Sequence, residues 1–330
     1  MTAQSVSKTI SASGQSLAET HALTRGVTSL SVGVALILTA IKAAAWLASG
    51  SVAMLASLAD SSLDVIASAA TFIAVRYAAA PPDRGHRYGH GKAEAFASLL
   101  QAGLVFGSAA LVAEEGIRHL IAPAPLQAEG WAMGVMAVSV VLTGALVTAQ
   151  TRVLGKTRSV AVSGDRAHYA VDLASNLAAF GGIGLAAWLG SPRWDAAAGL
   201  LVAAWLVWGA VKVFRDSSDQ LMDHELPGTA RREIVKRMTL DPKVRGVHEL
   251  RTRASGPYVH IQMHADLEPT LSLEEAHEVM VNAENRVLEA FPSADIIIHP
   301  DPQDRAEAHG GAFAETGHRR RQRHRPAKTG

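Results

Sequence analysis

Four residues in two apolar stretches are of the types that hold a divalent metal. The stretch SLADSSLDVIAS carries Asp60 and Asp64, and RAHYAVDLASNLAAF carries His168 and Asp172. Each pair is spaced i, i+4, so on a helix both side chains leave one face. A charge near a bilayer centre costs roughly 2.5–3.5 kcal/mol on insertion scales, so three carboxylates there demand a positive partner. No Lys or Arg in mid-segment supplies it. Lys42 is read as lying near the end of its segment, where it snorkels outward. A divalent cation would serve. If the two faces meet, three carboxylates and one imidazole form a four-ligand set suited to tetrahedral Zn²⁺. Asn176, one turn beyond Asp172, and Ser57, about one turn before Asp60, are placed to hydrogen-bond such ligands. Taken singly, an intramembrane Asp is as readily an interfacial helix end or a proton-relay group. Two matched pairs on separate segments favour metal.

The elements that must position these residues are long apolar helices. Of 330 residues, 48% are hydrophobic and 18% charged, and the apolar ones are bunched between 28 and 214. A spanning helix needs about 20 mostly apolar residues. Six candidates fit, near 28–49, 52–78, 94–119, 131–151, 162–189 and 194–214. Arg76, Arg84, Arg87, Lys92, Arg152, Lys156 and Arg158 load one set of connections, with Lys8, Arg25, Lys212 and Arg215 on the same side. The opposite loops carry Arg118 and Arg193. The positive-inside rule then places both termini in the cytoplasm. The expected domains are a polar segment over 1–24, a membrane all-α six-helix transmembrane domain over 25–216, a small α+β domain over 217–302, and a disordered basic tail over 303–330. The first 25 residues are Ser/Thr-rich without an apolar core, so no cleavable signal is expected. The absence of Cys excludes disulfides, thiolate zinc sites and soft Cu(I) sites. A net charge of +1 says little about partners, and no nucleic acid is expected. The arginines of the tail could touch anionic membrane lipid, though such a run is more often simply solvated.

Beyond residue 228 the pattern changes to helix, strand, strand, helix, strand. Residues 229–238 suit a short amphipathic helix. Val259, Ile261, Met263, Ala265 and Leu267 alternate with His260, Gln262, His264 and Asp266, the period-2 signature of a half-buried strand. Ser272 with Glu275 makes a capping box, followed by the stripe Ala276, Val279, Met280, Ala283, Val287 and Phe291. An Ile-rich strand closes over 294–299. This order suits a small α+β layer. In PPDRGHRYGHGKAEAF, the glycines make a continuous helix through His86 and His90 improbable. The loop reads equally as a wrap of Asp83, His86 and His90 around an ion or as a solvated basic loop.

These segments together resemble the cation diffusion facilitator family, and within it the bacterial ferrous-iron/zinc efflux transporters, over about residues 25–302. The resemblance rests on GSVAMLASLADSSLDV, DRGHRYGHGKAEAF, HYAVD and the late HPD at 299–301. It implies a metallochaperone-like α-β-β-α-β cytoplasmic domain. It also implies that Asp60, Asp64, His168 and Asp172 form the transport site and that Asp83, His86 and His90 form a loop site. His248, His264, His277, His299 and Asp301 would bind ions at a dimer interface. Lys92 and Asp223 would form a charge interlock in a homodimer. Pro300, inside the His-x-Asp motif, and the extension past 302 depart from the family pattern.

The expected activity is efflux of Zn²⁺, with Fe²⁺ and Cd²⁺ as the other candidates, across the cell (inner) membrane in exchange for protons. The protein requires no cofactor; the divalent cation is cargo and regulatory ligand. Ligands must lose their protons to bind metal, and an imidazole with a reference value of about 6.5 exchanges near neutrality, so His168 is expected to carry much of the coupling. An intramembrane metallohydrolase is the alternative, but each His-Glu pair lacks the second His of an H-E-x-x-H helix. A non-transporting metal sensor would leave the intramembrane charges without purpose. The chain is therefore read as a transporter and not an enzyme.

Overall fold

The computed structural model describes residues 17–49, 52–121, 130–189 and 193–304. The expected tail, past residue 304, lies outside them. The chain divides into two compact units, with the main boundary between His224 and Glu225.

Among the described residues, the first unit is built from six long helices: α1 Leu17–Ser49, α2 Val52–Ala78, α3 Ala93–Ile121, α4 Gly130–Thr157, α5 Val160–Leu189 and α6 Arg193–Leu221. Four stretches among the described residues are long and apolar enough to cross a membrane: Leu17–Ala48, Ser57–Ala78, Ala93–Arg118 and Gly134–Thr157. Helix α1 begins at Leu17, inside the polar segment expected over 1–24. Its hydroxyls explain why polarity does not break it. Thr24 donates to Thr20 O at 2.9 Å, Thr28 to Thr24 O at 2.8 Å and Ser31 to Val27 O at 3.1 Å, each satisfied by its own helix.

Helix α1 packs against α2 and α4, while α3 packs against α6 and α5. Val105 and Ala109 of α3 meet Val171 of α5 and Leu206 and Ala210 of α6. Val34 and Leu38 of α1 meet Leu146 of α4 and Tyr169 of α5. Close approach of α3 and α5 depends on Gly164. A Cβ there would sit 2.9 Å from Ser98 Oγ, 3.0 Å from Ser98 Cα and 3.1 Å from Gln101 Cβ, contacts too short for any larger residue without a backbone shift.

The second unit runs α7 Gly228–Met238, β1 Val244–Ser255, β2 Tyr258–Leu267, α8 Leu273–Ala290 and β3 Ala294–Pro302. The sheet order is β1-β2-β3, with β2 and β3 parallel. Ile261, Met263, Ala265 and Leu267 of β2 are buried under Ile234 and Met238 of α7 and Val279, Ala283 and Val287 of α8. Each of the Ile, Met, Leu and Val side chains contributes roughly 1.5–3 kcal/mol when fully buried. The capping box forms as spaced: Ser272 Oγ accepts from Glu275 N at 3.3 Å, and Glu275 accepts from Ser272 N at 2.8 Å. Strand β3 continues past 299 and carries Pro300 opposite Ala265. Proline is tolerated there because β3 is an edge strand, whose outward side needs no donor.

Candidate metal sites

In the membrane unit, α2 supplies Asp64 and α5 supplies His168 and Asp172. One ligand atom from each of the three lies within 4.8 Å of the others. Asp64 is 7% exposed and His168 6%. His168 Nε2 is 2.8 Å from Asp64 Oδ1, and its Nδ1 is buried without a hydrogen-bond partner among the described residues. An imidazole wedged between two carboxylates, with a buried ring nitrogen left over, is a donor set that a divalent cation satisfies. Asp60, one turn earlier on α2, is exposed and stands outside this cluster.

Lys42 does not snorkel outward. It is half-buried, and its ammonium donates to Ser61 Oγ at 2.6 Å and weakly to Ser57 O at 3.4 Å. Thr39 adds a bond from α1 to Ser61 O at 3.0 Å. The outward reading failed because the neighbouring helix offers oxygens within hydrogen-bond reach. Lys42 thus brings a positive charge to the turn of α2 that bears Asp60, so the carboxylates do not depend on metal alone for compensation. Ser57 takes part through its carbonyl, and Asn176 is half-buried on α5.

The loop after α2 turns tightly instead of continuing as a helix, with Gly89 at φ +80°. Asp83 Oδ1 accepts from the backbone N–H of His86 at 2.6 Å and of Gly85 at 2.8 Å. These bonds, the His86 amide first, hold the Asp83 carboxyl below the ordinary carboxylate range. The same carboxylate is 3.3 Å from His86 Nδ1 and 3.2 Å from His90 Nε2. His90 is buried against Tyr77, with ring centroids 4.4 Å apart, while Asp83 and His86 face solvent. The structure gathers all three within 4.8 Å. Nearby, Lys92 Nζ is 2.9 Å from Asp223 Oδ1 and donates to Leu221 O at 3.3 Å. Asp223 itself sits in the left-handed region at φ +55°.

In the α+β unit, the parallel register sets His264 beside His299 and Asp266 beside Asp301. Asp301, 7% exposed, is the centre of the group. Its Oδ2 lies 2.9 Å from His264 Nδ1 and 3.4 Å from His248 Nε2, and its Oδ1 lies 3.4 Å from His299 Nε2. His248, His264 and Asp301 meet the spacing of a metal cluster. His299 and Asp301, two apart on β3, share one face; Asp301 is covered by His248 and His264, while His299 stays open. His277, on an exposed position of α8, is outside the group.

Residues 29–222 match the family model described as the cation efflux transmembrane domain, and residues 226–303 match that of the cation efflux protein cytoplasmic domain. The chain belongs to the cation efflux family. A cation-efflux pump FieF from Klebsiella pneumoniae is 40% identical over 275 residues, 83% of this chain and 91% of that protein. The FieF of Cronobacter sakazakii is 41% identical over 269 residues, 82% and 89% of the two chains. A solved chain of CzrB in its zinc form is 28% identical, covering 26% of this chain and 100% of its own, at a TM-score of 0.23, too low to speak for shared architecture. This cation-efflux protein is a membrane transporter and not an enzyme.

Several polar residues of this efflux protein escaped the sequence reading. His260, expected on the polar face of β2, is buried with Nδ1 3.2 Å from Asp295. Glu249, at φ +48°, tucks its carboxylate 3.8 Å from His264 Nε2 and 3.5 Å from Arg251. Asp165, one turn before His168, is wholly buried. A lone acid i−3 from a ligand in an apolar segment was the signal for it.

Proposed function

We propose that this protein exports divalent metal, Zn²⁺ above Fe²⁺ or Cd²⁺, across the inner membrane by proton antiport, as a homodimer with six spans per chain and both termini cytoplasmic. The observation that carries the reading is the buried Asp64–His168–Asp172 cluster between α2 and α5. Asp60 lies one turn from Asp64, close enough along the helix to swing in as the fourth ligand when an ion arrives. One imidazole with carboxylates favours Zn²⁺, Fe²⁺ or Cd²⁺, whereas an all-oxygen set would favour Mn²⁺ or Mg²⁺. Metal binds only deprotonated ligands, so loading the site releases protons and protonating it expels metal. The Asp83–His86–His90 loop would bind a further ion off the translocation path. The His248–His264–Asp301 group, with His299 and His277, would bind regulatory metal in the cytoplasm, and the Lys92–Asp223 pair would stiffen the dimer near the membrane surface. Inside-out vesicles test the reading. Asp64→Ala or Asp172→Ala is expected to abolish Zn²⁺ uptake while insertion and dimerisation persist. Normal uptake by either variant sinks the site assignment, and parallel uptake of Fe²⁺ and Cd²⁺ by the unaltered protein ranks the metals.

A further inference from the structure

Among the described residues, the most deeply buried carboxylate has no part in the mechanism above. Asp165 of α5 is 0% exposed. It accepts from Ser68 Oγ of α2 at 3.3 Å, Gln101 Nε2 of α3 at 3.3 Å and Gln150 Nε2 of α4 at 2.8 Å. Gln150 also donates to Ser31 Oγ of α1 at 3.1 Å, so five helices meet at this one side chain. The groups that hydrogen-bond to it from the other helices are neutral, and the nearest acid along α2 is Asp64, one turn before Ser68 and paired with His168. Thr71 completes the α2 side, accepting from Gln101 Nε2 at 3.0 Å. On its own helix the titratable neighbours are His168 and Tyr169. The nearest acid along α3, Glu94, accepts from Ser159 instead. No Lys or Arg pairs with Asp165 among the described residues.

The surrounding hydroxyls can serve the carboxyl in both of its states. Ser68 Oγ is 2.8 Å from the Tyr169 hydroxyl, which in turn donates to Ser31 O at 3.2 Å. With Asp165 ionised, Ser68 donates to it and Tyr169 donates to Ser68 Oγ. With Asp165 protonated, its O–H donates to Ser68 Oγ, and Ser68 turns its hydrogen to the Tyr169 oxygen. A hydroxyl is one donor and two acceptors, so neither state leaves an orphan in this row. A carboxylate serving only to pin helices would need one of these states, not both.

We propose that Asp165 is a proton-binding site separate from the metal ligands, protonated while the transport site is empty and ionised while it holds a divalent cation. The inference rests on the antiport reading and deepens it. Residues three apart on a helix have Cβ atoms about 5–6 Å apart, so an anion at Asp165 and a cation held by His168 attract each other across a dry interior. Ion binding therefore breaks the Asp165 O–H bond. The proton leaves to water and the electron pair stays on the carboxylate. Protonation from the opposite face reverses the step and weakens the hold on the ion, as linkage requires.

Full-length protein in proteoliposomes with an internal pH dye and a Zn²⁺ pulse gives the number of protons moved per ion. Asp165→Asn is expected to lower that number by about one while Zn²⁺ still binds, and Asp165→Glu is expected to restore it. An unchanged ratio in Asp165→Asn overturns the role of Asp165 alone. No proton counter-flow in the unaltered protein overturns the antiport reading and this inference with it. If Asp165→Asn fails to fold, Ser68→Ala decides, since it removes the acceptor of the protonated state. It is expected to shift the pH midpoint of proton release by about half a unit or more, and an unshifted profile refutes the proposal.

Discussion

Replacing Asp301 by Asn tests the cytoplasmic group at its centre. The change keeps the shape of a side chain that is 7% exposed and removes one negative charge from among three imidazoles. Asp301 stands 2.9 Å from His264, 3.4 Å from His248 and 3.4 Å from His299, so no other carboxylate is as close to all three. Two unit charges 4 Å apart at an effective dielectric of 20 interact by about 4 kcal/mol. That is roughly a thousandfold in affinity, and a divalent ion in direct contact sets this as a floor. Residues 226–302, with their own core under α7 and α8, are expected to fold alone and bind divalent metal as a dimer. Equilibrium dialysis of this fragment against Zn²⁺ should show the thousandfold loss in Asp301→Asn. The helices should remain intact by circular dichroism. His277→Ala, by contrast, removes a residue outside the group: a loss below about threefold marks the ligands as coming from one chain, and a larger loss marks His277 as a ligand from across the dimer. Affinity of Asp301→Asn within threefold of the unaltered fragment would refute the reasoning, since the central acid would then not be a ligand.

Two further outcomes follow from the loop and from the capping box. His86→Ala with His90→Ala should slow vesicle uptake of Zn²⁺ without abolishing it, because the loop is held by Asp83 outside the spans; complete loss with normal expression would contradict this. Ser272→Ala removes the cap of α8 and should lower the stability of the α+β unit by about 1 kcal/mol, read by urea titration. Glu275 is held below its ordinary value by the backbone N–H of Ser272 and then by its hydroxyl. Its contribution is therefore present at neutral pH and is lost only as pH falls through that depressed value. An acid titration in which Glu275→Gln already matches the unaltered unit at pH 7 would show that the charge of Glu275 adds nothing to the box.

Periodicity made the helix faces legible, and the faces carried most of the site. Asp64, His168 and Asp172 converge because i, i+4 spacing fixes direction on a helix whatever its partners. Spacing does not fix rotation about the helix axis or depth, so the same pattern could not tell that Asp60 stays outside the cluster. Lys42 was misread because snorkelling was judged from distance to the segment end, without asking what lay opposite. Residues equally far from the connection at 50–51 face each other across α1 and α2, and Lys42 and the turn holding Ser57 and Ser61 satisfy that relation. Asp165 was missed for a related reason: its partners come from four other helices at separations that no local pattern encodes. In the α+β unit, alternation on β2 and the Ser272–Glu275 box were read directly. Pairing of β2 with β3, which joins His264 to His299 and Asp301, needed the parallel register.

Strand β3 ends in His299-Pro300-Asp301-Pro302, on a free edge of the sheet. Two prolines at alternate positions leave that edge without two of the amide donors that an added strand would use. The edge is thus blunted where the candidate ligand His299 is exposed. Other copies crowding the cytoplasmic face of a membrane cannot extend the sheet into a ribbon there. Two copies that meet at this edge must do so through side chains, where a bound ion can govern the contact.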